Sequence, residues 1–503
     1  MSFHNKSKRS PSPFTMGDSS DDEKQQSQGQ QQKPPASSLL SPNPIQAANE
    51  ISSLRHPQLN VPATANFKER RSSGRRDSYL VVHDNLLMQQ PQAPFPVSAE
   101  TSEENEKYSS EIEEIRSAIE TPIQRLNNSK SLQLDSDALA ELVVSVRDLS
   151  KSLMGFSMKL KMKNIMVISK LMDPEVVDNT RDLALWLIKH DKLNVYVEDT
   201  LAKHPNFGYD SLSSVDGLDR LKFWSSKACA SHPNKFDFVI TLGGDGTVLY
   251  TSWLFQKVVP PVLCFSMGSL GFLTDFDYKL KEDILEDVIK NGVMCSLRMR
   301  FECTIMKSRS HHKKGQFDLA EEILDAEKDG LFKNHYEGES YCILNDVVVD
   351  RGPNPTMTTT ELYGNFSLLT SIEADGCVIS TPSGSTAYSL SAGGSLVHPD
   401  IPGILVSPVC PHTLSFRPLV VPDSVIVRIG VPYDARVSAW CSFDGRARVE
   451  LQRGDFLTVV ASRYPFPKVQ HSKLATEQWF HRLSKTLHWN QRSRQKAIPK
   501  LSQ

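Results

Sequence analysis

The sequence predicts an α/β domain followed by a mostly β domain, with a disordered arm in front of both. Between residues 161 and 295, apolar runs typical of buried strands alternate with amphipathic runs typical of helices, the pattern of a parallel sheet covered by helices. Residues 296–462 consist of short β-rich runs separated by turn residues. Residues 1–105 are dominated by Ser, Gln, Pro and Asn, and such a segment buries too little apolar surface to fold.

The arm contains one candidate regulatory segment. In RRSSGRRDSY, Arg75 and Arg76 stand three and two residues before Ser78, a spacing that basophilic protein kinases favour. We therefore expect phosphorylation at Ser78 or Ser73. The apolar run YLVVHDNLLM that follows is a candidate docking site for a partner, and the alternative is a solvated basic patch in a tail.

Residues 106–160 predict a helical lead-in to the first domain. Apolar residues recur at helical spacing from Leu139 to Leu153, and Gly155 follows as a stop signal. The first domain then alternates strands and helices. Its strands are predicted at 163–170, 193–199, 236–242 and 261–268, and its helices over 174–191 and from about Val248.

The second domain is predicted to be mostly antiparallel, because compositions typical of hairpin turns, such as Asp444-Gly445, separate its strands. A charged insertion at 307–340 is too long for an ordinary hairpin loop, so we place it on the surface. Residues 463–503 form a C-terminal segment predicted to return to the α/β domain. Within it, four apolar residues at helical spacing predict a helix that packs on an apolar surface: Trp479, Phe480, Leu483 and Leu487.

Composition excludes several function classes. The chain has 503 residues and a formal net charge of −2, so it shows no global bias toward nucleic acid or an anionic membrane, and neither is expected as a partner. Apolar runs do not approach the roughly 20 residues that a membrane helix needs. The N-terminal stretch resembles neither a secretory signal nor a transit peptide, so we expect a cytoplasmic protein. The nucleus is the second alternative, and mitochondria are disfavoured. The eight cysteines form no CxxC pair, which predicts buried thiols and no zinc site.

One stretch carries the candidate chemistry: TLGGDGTVLY, residues 241–250, whose glycines begin directly after the strand predicted at 236–242. It matches neither the P-loop nor the dinucleotide fingerprint. Glycines at such a turn can expose successive backbone N–H groups to phosphate, and the following helix adds its positive end. The lone carboxylate, Asp245, suits a base that takes a proton from a hydroxyl beside the phosphate. The alternative from the residues alone is an Asp-Gly turn that caps the next helix.

A family resemblance decides between these readings. LGGDGTVL resembles a signature shared by NAD kinases, phosphofructokinases and diacylglycerol-type lipid kinases. Five further stretches, in this order and spacing, resemble NAD kinases of the eukaryotic, fungal type, and the resemblance covers roughly residues 140 to 495. They are SMGSLGFLTDF (266–276), LNDVVVDRG (344–352), EADGCVISTPSGSTAYSLSAGGSLVHP (373–399), VCPHTLSFRPLVVP (409–422) and SFDGR (442–446).

The resemblance implies the two-domain fold shared by NAD kinases and diacylglycerol kinases, with GGDGT in a nucleotide-binding α/β domain and a β-rich dinucleotide-binding domain. It implies transfer of the γ-phosphoryl group of ATP to the 2′-hydroxyl of the adenosine ribose of NAD, which gives NADP, and it leaves open whether NADH is also an acceptor. The cofactor expected is Mg²⁺ or another divalent cation, held mainly by nucleotide phosphates rather than by protein ligands. A homo-oligomer is also implied.

The same resemblance assigns roles to residues. Asp245 corresponds to the acid that contacts the acceptor ribose and is the proposed base, and Gly243, Gly244, Gly246 and Thr247 correspond to residues that line the phosphates. The positions that correspond to the dinucleotide site are Asp245, Gly246, Phe272, Asn345, Asp346, Asp375, Thr386, Ala387, Tyr388 and Ser391.

The residues alone leave other readings open. Asn345 and Asp346 also suit an Asx turn, Asp375 and Asp444 suit hairpin turns, and Phe272 suits a core position. At the level of function, the alternatives are a kinase for another hydroxyl, such as a lipid or sugar phosphate, and a catalytically silent NAD(P)-binding regulator. The presence of Asp245 argues against the silent regulator.

Overall fold

The structure, a computed structural model, describes residues 156–489 apart from 192, 227–228, 230–231, 269–270, 311–317, 413–414 and 472–474. The predicted arm, most of the helical lead-in, Ser73 and Ser78 lie outside the described residues. Within those residues there are six α-helices, and none is long and apolar enough to cross a membrane. The helices are α1 Pro174–Asp191, α2 Asp245–Leu254, α3 Lys281–Asn291, α4 Leu319–Asp329, α5 Tyr388–Ser391 and α6 Ala475–Thr486.

The first sheet has nine strands, in the order β1-β8-β21-β6-β5-β2-β3-β4, with β7 paired to β6. Strands β2 to β7 are parallel and β21 pairs with β6 in parallel as well, whereas β8 runs antiparallel to both of its neighbours, β21 and β1. Both faces of β5 and β6 are buried, which is why these strands read as continuous apolar runs. The strands are β1 Phe156–Met158, β2 Asn164–Ser169, β3 Asn194–Glu198, β4 Leu221–Trp224, β5 Phe238–Gly243, β6 Val262–Ser266, β7 Phe276–Asp277, β8 Val293–Arg298 and β21 Phe466–Gln470.

The second domain is built from two antiparallel six-stranded sheets, in the orders β10-β9-β20-β17-β12-β13 and β16-β15-β14-β11-β18-β19. Side chains from both sheets share one buried core that includes Ile305, Ile379 and Phe443. The first of these sheets comprises β9 Phe301–Ser308, β10 His335–Ile343, β12 Thr358–Gly364, β13 Ser367–Ala374, β17 Val427–Gly430 and β20 Phe456–Ala461. The second comprises β11 Asp346–Asp350, β14 Gly376–Ser380, β15 Gly403–Val409, β16 Leu419–Pro422, β18 Ala439–Phe443 and β19 Ala447–Leu451.

The chain returns to the first sheet after the second domain. Strand β21 lies between β8 and β6, and α6 follows it. Trp479 and Leu483 of α6 are buried, whereas Phe480 is 54% exposed. The predicted apolar face of this helix is therefore correct for Trp479 and Leu483 and wrong for Phe480.

The predicted fold class, an α/β domain followed by a mostly β domain, is confirmed. The domain bounds themselves stay predictions. All eight cysteines lie in the described part of the chain as free thiols, seven of them buried, while Cys410 is exposed.

Two local expectations need correction. Helix α2 begins at Asp245 and not near Val248, because the acid belongs to the first helical turn, where its charge faces the positive end of the helix. The insertion at 307–340 is not simply a surface loop. Its ends belong to the paired strands β9 and β10, and Leu319 and Ile323 of α4 are buried against Tyr363 and Phe456.

Candidate active site

The GGDGT turn lies at the carboxyl end of β5, where the chain enters α2. A side chain at Gly243 would collide with Thr247, whose Oγ1 lies 2.2 Å from the position of the added Cβ. At Gly244 and Gly246, a Cβ would meet no atom of the described residues within 4 Å. These two glycines leave space beside the first turn of α2, where the N–H groups of a helix N-terminus can bind an anion.

The carboxylate of Asp245 is held by the loop that follows β6. The backbone N–H of Phe272 donates to Oδ2 over 2.9 Å, and that of Leu273 donates to Oδ1 over 3.0 Å. Gly271 packs so closely that a Cβ there would lie 2.0 Å from Oδ1. Two backbone donors thus orient the acid, and each oxygen keeps a lone pair that can accept a proton or another hydrogen bond.

A cavity of about 560 Å³ opens beside this turn. Lys170 and Arg446 line it together with the ring of Tyr250 and the carboxyl of Glu198. The Arg446 guanidinium lies 4.8 Å from the centre of the Tyr250 ring. Because two cations border a helix N-terminus here, the cavity favours a ligand that carries phosphate.

The hairpin between β18 and β19 brings Arg446 to this cavity. One guanidinium nitrogen of Arg446 lies 3.5 Å from the carbonyl oxygen of Gly246. At the tip of the hairpin, Asp444 has a φ of 46°, and its carboxylate accepts the N–H groups of Leu344, Asn345 and Asp346 over 2.8, 2.8 and 3.1 Å. Asp444 is thus the turn residue that the sequence indicated, and its hydrogen bonds also hold the start of β11 against the hairpin.

Asn345 and Asp346 lie where β11 begins. Burial raises the pKa of Asp346 to about 7, the nearby Asp444 carboxylate adds to the rise, and the N–H of Tyr388 partly offsets it. The buried Oδ1 of Asn345 has no hydrogen-bond partner among the described residues. This pair therefore offers acceptors to a ligand with hydroxyl or amine donors.

The glycine-serine segment passes close to this pair. Thr386 ends a 3-10 helix that begins at Ser383, Ala387 links it to α5, and Ser391 is the last residue of α5. A Cβ on Gly384 would lie 2.3 Å from the carbonyl oxygen of Asn345, so only glycine permits this approach. The segment therefore holds its backbone against the start of β11.

A second, smaller cavity of about 230 Å³ is lined by Asp375 and Tyr388. Arg351 and Arg448 border it as well, and Nε of Arg351 lies 3.0 Å from Oδ1 of Asp375. Tyr388 connects the cavity to Asp346 through its backbone N–H. Asp375 and Tyr388 thus share this cavity beside Asp350 at the end of β11, whereas Asp346 lies at the start of that strand. Thr386, Ala387 and Ser391 lie in the same segment on either side of Tyr388.

The structure therefore arranges the predicted site residues in two groups. Asp245, its glycines, Thr247 and the backbone of Phe272 form one, and the residues around Asp346 and Tyr388 form the other. The Asp444–Arg446 hairpin contacts both groups. Among the described residues, no three His, Cys, Asp or Glu side chains gather as metal ligands, and the amides already occupy one lone pair of each Asp245 oxygen.

Sequence reasoning missed the cationic side of the first cavity. Arg446 is the last residue of the SFDGR motif, so its position was visible, although its role was not. Lys170 stands at the end of β2, and because carboxyl ends of adjacent parallel strands meet at one edge, the pairing of β2 with β5 could have placed it there. Gly271 lies within the SMGSLGFLTDF stretch, but nothing in the residues around it indicated that it would pack against Asp245.

Comparison with known proteins identifies relatives. A family model for the ATP-NAD kinase N-terminal domain matches residues 165–293, and one for the ATP-NAD kinase C-terminal domain matches 344–471. The chain is 41% identical over 362 residues to NAD(+) kinase of Saccharomyces cerevisiae, covering 71% of this chain and 66% of the relative. It is 38% identical over 383 residues to ATP-NADH kinase YEF1 of the same yeast, covering 75% and 74%. The crystal structure of yeast NADH kinase complexed with NADH superposes with a TM-score of 0.54 at 29% identity, covering 67% of this chain and 90% of that one.

Proposed function

This chain belongs to the NAD kinase family, an enzyme family of ATP-NAD kinases, and on that premise we propose the reaction it catalyses. The γ-phosphoryl group of ATP moves to the 2′-hydroxyl of the adenosine ribose of NAD or NADH. The acceptor oxygen forms a bond to the γ-phosphorus, the bond from that phosphorus to the β-γ bridging oxygen breaks, and ADP leaves. The hydroxyl proton goes to a base.

The ATP phosphates are assigned to the cavity beside GGDGT. The space beside Gly244 and Gly246 lets phosphate approach the first turn of α2, and Lys170 and Arg446 supply positive charge. A divalent ion on the nucleotide, when bound, neutralises charge on the β- and γ-phosphates. Phosphoryl transfer needs mainly positioning and charge stabilisation, and this cavity supplies both.

Asp245 is the proposed base. Its carboxylate stands in the first turn of the helix that borders the phosphate cavity, and the amides of Phe272 and Leu273 fix its direction. This single arrangement, an oriented acid beside a phosphate-binding helix terminus, is the observation that carries the proposal. A phosphate site without a reaction would gain nothing from a carboxylate there, because it repels the ligand.

The dinucleotide is assigned to the residues around Asp346. The free acceptor of Asn345 and the carboxyl of Asp346 suit the amine and hydroxyl donors of adenosine. Asp375, Thr386, Ala387, Tyr388 and Ser391 are proposed to contact the remainder of the dinucleotide. A homo-oligomer, a cytoplasmic location and a kinase or docking partner for the arm stay predictions from the sequence.

The reaction is tested by incubating the purified full chain with Mg-ATP and either NAD or NADH. An NADP-specific dehydrogenase detects product, and phosphorus NMR assigns the new phosphate to the 2′ position. We expect product from at least one dinucleotide. If neither is phosphorylated while ATP and dinucleotide both bind, the chain is a binding protein and the proposal is wrong.

A further inference from the structure

The C-terminal helix α6 contacts the loop that holds Asp245. A guanidinium N–H of Arg482 donates to the carbonyl oxygen of Phe272 over 3.2 Å and also contacts the carboxylate of Asp275 in an ion pair. Arg482 lines neither of the two cavities. It therefore acts on the loop and not directly on a ligand in either cavity.

A buried ion-pair cluster fixes Arg482 in this position. Asp275 has a side chain only 2% exposed and also pairs with Nζ of Lys468 on β21 at 2.8 Å. Burial would raise the pKa of Asp275, but Lys468 and Arg482 outweigh it, so the pKa lies below the usual value. Leu483 and Trp479 of α6 are both buried, and the Trp479 ring lies 5.0 Å from the ring of His398. The contact between Arg482 and the loop is thus built into the fold.

The two hydrogen bonds share one peptide group. The carbonyl that Arg482 contacts and the N–H that donates to Oδ1 of Asp245 are the two ends of the Phe272–Leu273 peptide. A cation at the oxygen end polarises the group and makes its N–H a stronger donor, because linked hydrogen bonds reinforce one another. The peptide therefore transmits the position and charge of Arg482 to the acid.

We propose that Arg482 is a positioning residue for phosphoryl transfer, which acts on Asp245 through the Phe272–Leu273 peptide. This inference rests on the proposed function, because it requires Asp245 to take part in the reaction. It explains why the chain returns to the first domain with a helix whose arginine is only 11% exposed. It also makes the C-terminal helix part of the catalytic apparatus and not only a cover for apolar surface.

The test is the Arg482→Gln variant in the full-length protein. Asp275 retains Lys468 as a partner, so the variant is expected to fold, and its thermal unfolding is measured alongside. We expect kcat to fall by about 10- to 100-fold, the range for a misplaced catalytic group, while KM for ATP changes less than about twofold. Lys485→Gln, which removes an exposed cation one turn along α6, is the matched control and should leave kcat unchanged.

A double-mutant cycle separates positioning from a general structural effect. If Arg482 acts through Asp245, then Arg482→Gln should reduce kcat by less than about twofold in a protein that already carries Asp245→Asn. A full 10- to 100-fold loss in that background would refute the proposal. Added guanidinium should restore part of the activity of Arg482→Ala, with sodium chloride as the salt control.

The failure of this inference differs from the failure of the proposed function. If the wild type forms no NADP(H), the proposed function falls. If the wild type is active and Arg482→Gln matches it in kcat, the function stands and the positioning role of Arg482 is wrong.

Discussion

Replacing Gly271 with alanine tests how Asp245 is held. The added Cβ would lie 2.0 Å from Oδ1 of Asp245, 2.6 Å from its Cγ and 2.8 Å from Oδ2. Non-bonded contacts of a Cβ below about 3.0 Å are essentially absent from proteins, so the carboxylate must retreat by about 1 Å. That displacement breaks the hydrogen bonds of 2.9 and 3.0 Å from Phe272 and Leu273.

The size of the effect follows from the geometry. A displacement of about 1 Å in a catalytic group costs about 10²-fold in rate, which corresponds to roughly 2.7 kcal/mol of barrier. Each lost hydrogen bond to a charged group is worth about 1.5–3 kcal/mol, so the loss is large enough to account for that effect. ATP binding should change little, because Gly244, Gly246 and Thr247 are untouched.

Steady-state kinetics with saturating NAD measure the effect. We expect Gly271→Ala to lower kcat by about 10²-fold, with KM for ATP within about twofold of wild type. Gly268→Ala is the matched control, since a Cβ there meets no atom of the described residues within 4 Å. If Gly271→Ala turned over at the wild-type rate, the amide-held position of Asp245 would have no part in the reaction.

Four further predictions concern Asp346, Arg446 and the N-terminal arm. Because burial raises the pKa of Asp346 to about 7, dinucleotide affinity should fall as pH drops below 7, and Asp346→Asn should bind more weakly without this pH dependence in calorimetry. In the unfolded chain this carboxyl has its ordinary pKa of 3.8, so the ligand-free protein should lose stability as pH rises from about 4 to 7, which thermal unfolding of wild type and Asp346→Asn can compare. Arg446→Ala should raise KM for ATP about tenfold or more and lower kcat. Replacing the exposed Arg463 should change neither KM nor kcat. Deleting residues 1–105 should leave turnover within about twofold of the full chain, and an inactive truncation would make the arm part of the fold.

The elements that were predicted correctly from the sequence are those with a clear local pattern of apolar residues. Helix α1 was predicted over its observed bounds, because its apolar positions recur at helical spacing and no competing signal interrupts them. Strand β4, Leu221–Trp224, was missed, since four residues are too few to show a period. The start of α2 was placed too late because glycine and aspartate usually mark turns, whereas here tertiary contacts hold Asp245 in a helical turn.

The functional site likewise contains residues that the sequence indicated and residues that only the fold brings together. Asp245 was found because three glycines around one acid are unusual after a strand. Its partners were not, because they are backbone N–H groups 27 and 28 residues further along the chain, and any residue carries such a group. Arg482 lies 207 residues from Asp275, so only the fold, through the return of β21, brings the two together.

The central claim is that the carboxylate of Asp245 takes the proton of the acceptor hydroxyl, and Asp245→Asn tests it most directly. In single-turnover experiments with saturating Mg-ATP and NAD, we expect NADP formation to slow by about 10²- to 10⁴-fold, roughly 3 to 5.5 kcal/mol of barrier. The Kd for NAD should stay close to wild type. Asp283→Asn, an exposed acid in the first turn of α3, serves as the control. A near-wild-type rate in Asp245→Asn would contradict the assignment.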